Sequence, residues 1–186
     1  MNEDAYLEYL RTRSARALAY RRFFLYPRLC RHLRGRTLDV GCGIGDLLAF
    51  RPDTVGVDVN RRVIGWCRDH GLDVRETSAG RLPFAAGEFQ SAVLDNVLEH
   101  MHEPGPTLSE IRRILAPRGR LVVGVPGERG FAADPDHKRH YNEAGLRMVV
   151  ESAGFRLLRV MHMPFRAQWL SRRLSAYCIY GVFERA

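Results

Sequence analysis

The sequence predicts an α/β fold, a mostly parallel sheet with helices packed on both faces. Three observations predict it. From Thr37 onward, short runs of β-type residues alternate with helical stretches, and parallel strands need such crossovers. Several runs are apolar at consecutive positions, as strands covered on both sides are. The first run ends in "VGCGIG", which places glycines at 41, 43 and 45. Such a turn lets a ligand approach the backbone at a strand's carboxyl end.

Taken in order, Leu7 to about Cys30 reads as a helix that Pro27 interrupts near its end. "RTLDVG" is the first strand, "IGDLLAF" a helical piece, "TVGVDV" the second strand and "RRVIGWCRDHG" a helix closed by Gly71. "LDVRET" is the third strand, and after the loop "SAGRLPFAAGE" comes "FQSAVLDNV", the fourth. In "PGPTLSEIRRILAPRG", Leu108, Ile111, Ile114 and Leu115 share a helical face, and Pro117 with Gly119 stop the helix. "RLVVGVP" is a buried fifth strand. "NEAGLRMVVESAGF" is a helix capped by Asn142, "RLLRVMHMP" a strand, and "FRAQWLSRRL" a short helix or loop. "AYCIYGVFER" is the last strand, expected antiparallel at the sheet's edge because the crossing to it is short.

Composition narrows the class. The 186 residues are 46% hydrophobic and 27% charged, as in ordinary soluble globular chains. No apolar run approaches the roughly 18 residues of a membrane span. The start, "MNEDAYLEYL", is acidic and lacks a signal core, so a cytoplasmic location is expected. Cys30, Cys42, Cys67 and Cys178 have no paired spacing and read as free thiols rather than zinc ligands. The net charge of +8 is uneven: nine arginines and no acid lie between Arg11 and Arg36. That segment suits an anionic partner, or is simply the outer face of an amphipathic helix.

The glycine turn acquires meaning from two carboxylates. Asp58 ends the second strand, where it can accept hydrogen bonds from both hydroxyls of a ribose. The spacing is G-x-G-x-G, unlike the pyrophosphate-binding pattern, and no Gly-Lys-Ser/Thr follows for a triphosphate. Asp39, just before the turn, would repel phosphate and welcome an ammonium group. A ligand with adenosine at one end and a cationic amino acid at the other fits.

"LDVGCGIGDLL", "VGVDVN", "RLPFAAGEFQSAVLDNVLEHMHEP" and "RRILAPRGRLVVGVP" together resemble the successive motifs of class I S-adenosylmethionine-dependent methyltransferases. The closest group is the small-molecule and lipid or sugar branch. The resemblance runs from about Thr37 to Phe155. It implies a Rossmann-like sheet of seven strands, the last antiparallel, in a single domain. Within it, 1–36 would be a helical lid, 37–126 the cofactor-binding core and 127–186 the substrate side.

Carried over by position, Asp39, Gly41, Gly43 and Gly45 would surround the methionine portion of S-adenosyl-L-methionine. Asp58 would bind the ribose, Val59 and Asn60 would flank the adenine, and Asp95 with Asn96 would lie beside the methionine moiety. Ser78 and Ala79 follow the third strand, where many relatives carry an aspartate facing the adenine amino group. In "NVLEHMHEP", Glu99, His100 and His102 read as scaffold, because the element accompanies unrelated substrates in the family.

Methyl transfer to a hydroxyl calls for a base, most often histidine. The long polar loop "GERGFAADPDHKRHYNEAG" offers His137 and His140 as candidate catalytic residues, and Arg139 and Tyr141 as candidate acceptor contacts. Asp134 and Asp136 make the same loop metal-capable, but no metal is expected. Arg21 and Arg22 lie in "ARALAYRRFFLYPRL", which with "PFRAQWLSRRLSAYCIY" sets arginines among aromatics. That pattern suits a phosphate-bearing or lipid-linked acceptor. The expectation is an O-methyltransferase of a small or carbohydrate-type acceptor, monomeric or homodimeric. Methylation of nucleic acid is the first rival, disfavoured because "DNVLEH" replaces the Asn/Asp-Pro-Pro-aromatic signature of base methylation. A catalytically silent partner domain is the second.

Overall fold

The computed structural model describes residues 2–78 and 80–186. Seven strands form one sheet: β1 (Thr37–Val40), β2 (Thr54–Asp58), β3 (Val74–Glu76), β4 (Phe89–Asp95), β5 (Leu115–Pro126), β6 (Phe155–Met163) and β7 (Cys178–Arg185). Their order is β3-β2-β1-β4-β5-β7-β6. The first five run parallel, and β7 pairs antiparallel with both β5 and β6. The order reverses beside β1, so the β1 and β4 ends open the crevice where ligands sit in such sheets.

Helices cover the sheet: α1 (Glu3–Arg11), α2 (Ala15–Tyr20), α3 (Tyr26–Cys30), α4 (Asp46–Phe50), α5 (Arg61–Asp69), α6 (Gly105–Ile114), α7 (Glu128–Ala132), α8 (Glu143–Glu151) and α9 (Gln168–Ser171). Alternating strand residues feed two cores. Ala92, Leu94, Leu121 and Val123 pack with Leu108, Ile111 and Ile114 of α6. Val93, Val122 and Val182 face Leu25, Tyr26 and Leu29 on the other side. The three α6 side chains are fully buried, each stabilising by about 1.5–3 kcal/mol.

Two expectations need correction. The N-terminal helix is not continuous from Leu7 to Cys30. It stops at Thr12, whose hydroxyl folds back onto the Glu8 carbonyl, and restarts at Ser14, which caps Ala17. Pro27 does not end it either: a π turn over Arg21–Leu25 carries α2 into α3. Proline has no N–H to give the carbonyl four residues back, and the wider turn accommodates that loss.

The last strand is antiparallel but not at the edge, since β7 lies between β5 and β6. Burial explains the exchange: β7 is buried along nearly its whole length, whereas β6 alternates with exposed positions that include Arg156 and Arg159. The more apolar strand takes the interior.

Candidate active site

The carboxyl ends of β1, β2 and β4 bring three aspartates together, Asp39 and Asp58 buried and Asp95 partly so. The glycine turn after β1 is fixed by its own backbone: Gly41, Gly43 and Gly45 have φ of +74°, +53° and +78°. A side chain could not replace two of them. A Cβ on Gly41 would meet Val97 at 2.6 Å, and one on Gly45 would meet Leu72 at 2.3 Å. Gly45 then starts α4, whose first residue, Asp46, adds a fourth carboxylate.

Asp58 is 6% exposed and holds the turn. Its Oδ2 accepts the Gly43 N–H at 3.0 Å and its Oδ1 the Asn60 N–H at 3.0 Å. Burial raises its pKa, and the N–H groups of Asn60, Gly43 and Val59 pull it back down. Asp39 is buried more completely, and its carboxyl is pushed up to about 8. Burial is the main cause, facing Asp95 adds to it, and Arg21 opposes. This is a crevice deficient in positive charge.

The cations present come from the N-terminal segment. Arg21 Nη2 donates to Asp95 Oδ2 at 2.9 Å, and Arg13 pairs with Asp46. Tyr180 donates its hydroxyl to Asp95 Oδ1 at 2.6 Å. Along the same wall, α1 lies over the glycine turn, with Leu10 Cδ1 only 3.3 Å from where a Gly43 Cβ would sit. Tyr6 faces Asp58, and burial with that charge raises its hydroxyl to about 12. The helix is anchored there: Asn60 Nδ2 donates to the Glu3 carbonyl at 3.2 Å, and Arg11 stacks over Trp66.

Other predicted residues lie around this core. Val59 is exposed, and the Asn60 side chain caps α5 through the Arg62 and Val63 N–H groups. Asn96 closes β4 in a left-handed conformation at φ +58° and donates from Nδ2 to Asp95 Oδ1. Ser78 is exposed in the loop after β3, and Ala79 lies outside the described residues. A hollow of about 1060 Å³ opens beside that loop among Ser78, Arg81 and Glu110. Its lining includes Glu76 at the tip of β3 but none of Asp39, Asp58 and Asp95, and the convergence of carboxylates, not volume, marks the site.

The second constellation forms where the loop after β5 meets the turn after β4. Lys138 and Arg139 both donate their backbone N–H groups to the Glu99 carbonyl, at 2.8 and 3.1 Å, pinning loop to turn. His137 is thereby drawn inward, its side chain 8% exposed, with Nε2 3.7 Å from Glu99 Oε1. Its Nδ1 meets the Phe131 carbonyl at 2.8 Å, and Phe131 stacks on the ring. His140 is exposed and meets Phe131 edge to face. Tyr141 is buried under the Arg139 guanidinium, and Arg22 is exposed. Glu99 is fully buried, which pushes its carboxyl up to about 8.

A methyltransferase-domain family model matches residues 38–123. A probable S-adenosylmethionine-dependent methyltransferase of Mycolicibacterium smegmatis is 31% identical over 183 residues, covering 87% of this chain and 69% of its own length. The chain belongs to the S-adenosylmethionine-dependent methyltransferases. The chain spans a smaller share of two other curated relatives it matches, 42% and 51% of their lengths. A ubiquinone/menaquinone biosynthesis C-methyltransferase of Desulfotalea psychrophila is 29% identical over 98 residues, 47% of this chain and 40% of its own length. The crystal structure of a Thermotoga maritima methyltransferase, described as a possible histamine N-methyltransferase, superposes with a TM-score of 0.76 at 20% identity. It covers 99% of this chain and 97% of its own, and it establishes the class I fold, with S-adenosylmethionine the family's cofactor.

Sequence reasoning missed several contacts of this methyltransferase. Arg21, expected to contact the acceptor, pairs with Asp95; Arg13, Tyr6, Leu10 and Tyr180 are additions that the structure makes to the candidate set. Their signal was weak, because all depend on how the N-terminal segment and β7 fold back onto β1 and β4. Glu99, expected to be scaffold, is fully buried between the turn after β4 and the loop after β5, which its place beside Leu98 in the sequence does not announce.

Proposed function

We propose that the chain methylates a hydroxyl of a small-molecule or carbohydrate-type acceptor. The donor set fits the cofactor: carboxylates at three strand ends suit a ligand with ribose hydroxyls at one end and positive charge at the other. Asp58 spends one lone pair of each oxygen on a backbone N–H, leaving the others for ribose. Asp39 and Asp95 would face the cationic methionine portion, with Gly41, Gly43 and Gly45 giving backbone access. Val59 and Asn60 would border the adenine, with Ser78 from the loop after β3 beside them, and Asn96 would support Asp95; the role expected of Ala79 falls outside the described residues. Entry requires α1 to lift, since Tyr6 and Leu10 now lie over Asp58 and Gly43.

When bound, the cofactor supplies a methyl group on a sulfonium. The chain's task is to align an acceptor with it, exclude water and take a proton. The single observation that carries this reading is His137, inward-facing and tautomer-fixed, beside Glu99. With the Nδ1 proton committed to the Phe131 carbonyl, Nε2 is left as an acceptor for the hydroxyl proton. The resulting imidazolium would face Glu99 Oε1. His140, exposed, fits a rim contact. Arg139, Tyr141 and the exposed Phe165 and Trp169 would border the acceptor, and Arg173 adds charge suited to an anionic or lipid-linked one.

Nucleic acid is less well supported. Of the nine arginines between Arg11 and Arg36, Arg11, Arg13, Arg21 and Arg36 are already paired with carboxylates. Among the described residues no helix is long and apolar enough to cross a membrane. The test is incubation of small-molecule extracts with methyl-labelled cofactor, followed by a search for masses raised by one methylene. His137→Ala should lower kcat by about 100-fold or more while cofactor affinity holds within twofold. Label appearing on RNA or on amines instead would overturn the reading.

A further inference from the structure

Among the described residues, Glu99, His100 and His137 each offer a ligand atom, and these atoms all lie within 4.8 Å of one another. We propose that they hold one divalent transition-metal ion at the acceptor end of the crevice. The first argument is Glu99 itself. Its side chain is fully buried, and neither carboxylate oxygen meets a hydrogen-bonding partner from another described residue. A buried carboxylate is normally paired, hydrogen-bonded or bound to a metal. Here the groups it faces are imidazoles.

The second argument is how those imidazoles are held. His137 Nδ1 is occupied by the Phe131 carbonyl at 2.8 Å, which leaves Nε2 directed at Glu99, 3.7 Å from Oε1. His100 likewise has the backbone of Asp136 as a partner for its ring, and its ring centroid lies 4.6 Å from that of His137. Metal-bound histidines are oriented in this way, one nitrogen on a carbonyl and the other on the ion. Donors at about 2.0–2.2 Å from one ion in a tetrahedral set lie about 3.4 Å apart, so side-chain shifts of up to about an ångström close the set. Asp134 Oδ2, 3.9 Å from His137 Nε2 and a third exposed, stands where a fourth ligand or an exchangeable position would be.

Two imidazoles with one or two carboxylates suit zinc, manganese, iron(II) or cobalt rather than calcium. An ion here would change the chemistry of the neighbouring reaction. With the ion bound, Nε2 of His137 would be a ligand, and an acceptor hydroxyl reaching the ion would lose its proton more readily, to Asp134 or solvent; without it, Nε2 keeps the role of base proposed above. That consequence rests on the hydroxyl-methylation reading; ion binding does not.

Metal-stripped, tag-free protein is titrated with Zn²⁺ and Mn²⁺ by calorimetry, without cofactor or acceptor, and with Co²⁺ by visible absorption. One equivalent should bind at micromolar or tighter affinity for at least one ion, with Co²⁺ giving ligand-field bands. Glu99→Gln and His137→Ala should each weaken binding by at least 30-fold, whereas His102→Ala, an exposed neighbour, should leave it within twofold. Circular dichroism and retained cofactor binding verify that each variant is folded. Asp58→Ala should bind the ion like wild type, which keeps this test independent of the donor site. Wild type binding no ion more tightly than the His137→Ala variant, or one equivalent unaffected by both variants, overturns the proposal.

Discussion

The two ends of the crevice solve opposite problems. At the donor end, carboxylates are in excess, and backbone N–H groups, Tyr180, Arg13 and Arg21 meet most of them. At the acceptor end a single carboxylate, Glu99, is buried with no partner from another residue among those described, facing two imidazoles. One end is built from strand termini whose register the sheet dictates. The other is a loop held to a turn by two N–H groups on one carbonyl. The difference teaches that the first is a grip, already closed on itself, and the second is a receptive site whose buried carboxyl has no hydrogen-bond partner.

If the donor end is a rigid grip, its glycines should be intolerant. Gly45→Ala places a Cβ 2.3 Å from Leu72 at φ +78°, and overpacking with backbone strain should cost about 2–4 kcal/mol of stability. Denaturant melts read this directly. Gly71 has nearly the same φ, +71°, but nothing within 4 Å of its would-be Cβ. Gly71→Ala should therefore cost about 1 kcal/mol, and equal losses at both positions would show that packing against Leu72 contributes nothing. Next in size is Asp58→Ala. It removes the carboxylate that tethers the turn and would receive ribose, so cofactor affinity should fall by about 100-fold. A change below threefold in calorimetry would remove the ribose assignment.

The unequal legibility of the two ends has the same origin. The glycine turn and Asp58 could be read because they are local: a strand, a tight turn and a strand tip lie within about twenty residues, and sheet register does the rest. Likewise the amphipathic α6 and the capping Asn142 announce themselves through spacing. The cover over the donor end could not be read in the same way. Nothing near Arg21 in the chain indicates Asp95, because that pair needs a π turn and a long-range fold. The order of β7 and β6 was likewise hidden. Antiparallel pairing was foreseeable from the short crossing, but which strand goes inside depends on relative burial of two nearly adjacent apolar runs. At the acceptor end, His137 and His140 looked alike in sequence. Only the pinning of the loop onto the Glu99 carbonyl separates the inward ring from the exposed one.

Arg21 sharpens the contrast further. Its guanidinium sits among Asp95 and Asp46, 24% exposed, where the cationic portion of the cofactor would come. If the two compete, Arg21→Gln should tighten cofactor binding by about tenfold, about 1.4 kcal/mol, while lowering the stability of the free protein. Tyr26, whose hydroxyl accepts from Arg21 Nε at 2.8 Å, would lose that contact as well. Weaker cofactor binding in the variant would instead make Arg21 part of the grip, and the donor end would then be preorganised rather than self-blocked.

The smallest effect concerns protons. Asp39, pushed up to about 8, keeps its proton in the folded protein over a range where an unfolded chain, with the group near 3.8, has lost it. The sign follows: the folded state binds more protons between these values, so Asp39's contribution to stability declines as pH rises from about 4 to about 8 and is constant beyond. Asp39→Asn should flatten that decline in melts compared at pH 5 and pH 8. A cationic ligand beside the carboxylate would favour its ionised form, so binding at pH 7 should release most of a proton, and affinity should rise about fivefold between pH 7 and pH 8. Calorimetry in buffers of different ionisation enthalpy measures the proton count. Release that persists in Asp39→Asn would move the effect to another group of the same crevice, whereas release that vanishes ties the positive end of the ligand to the tip of β1.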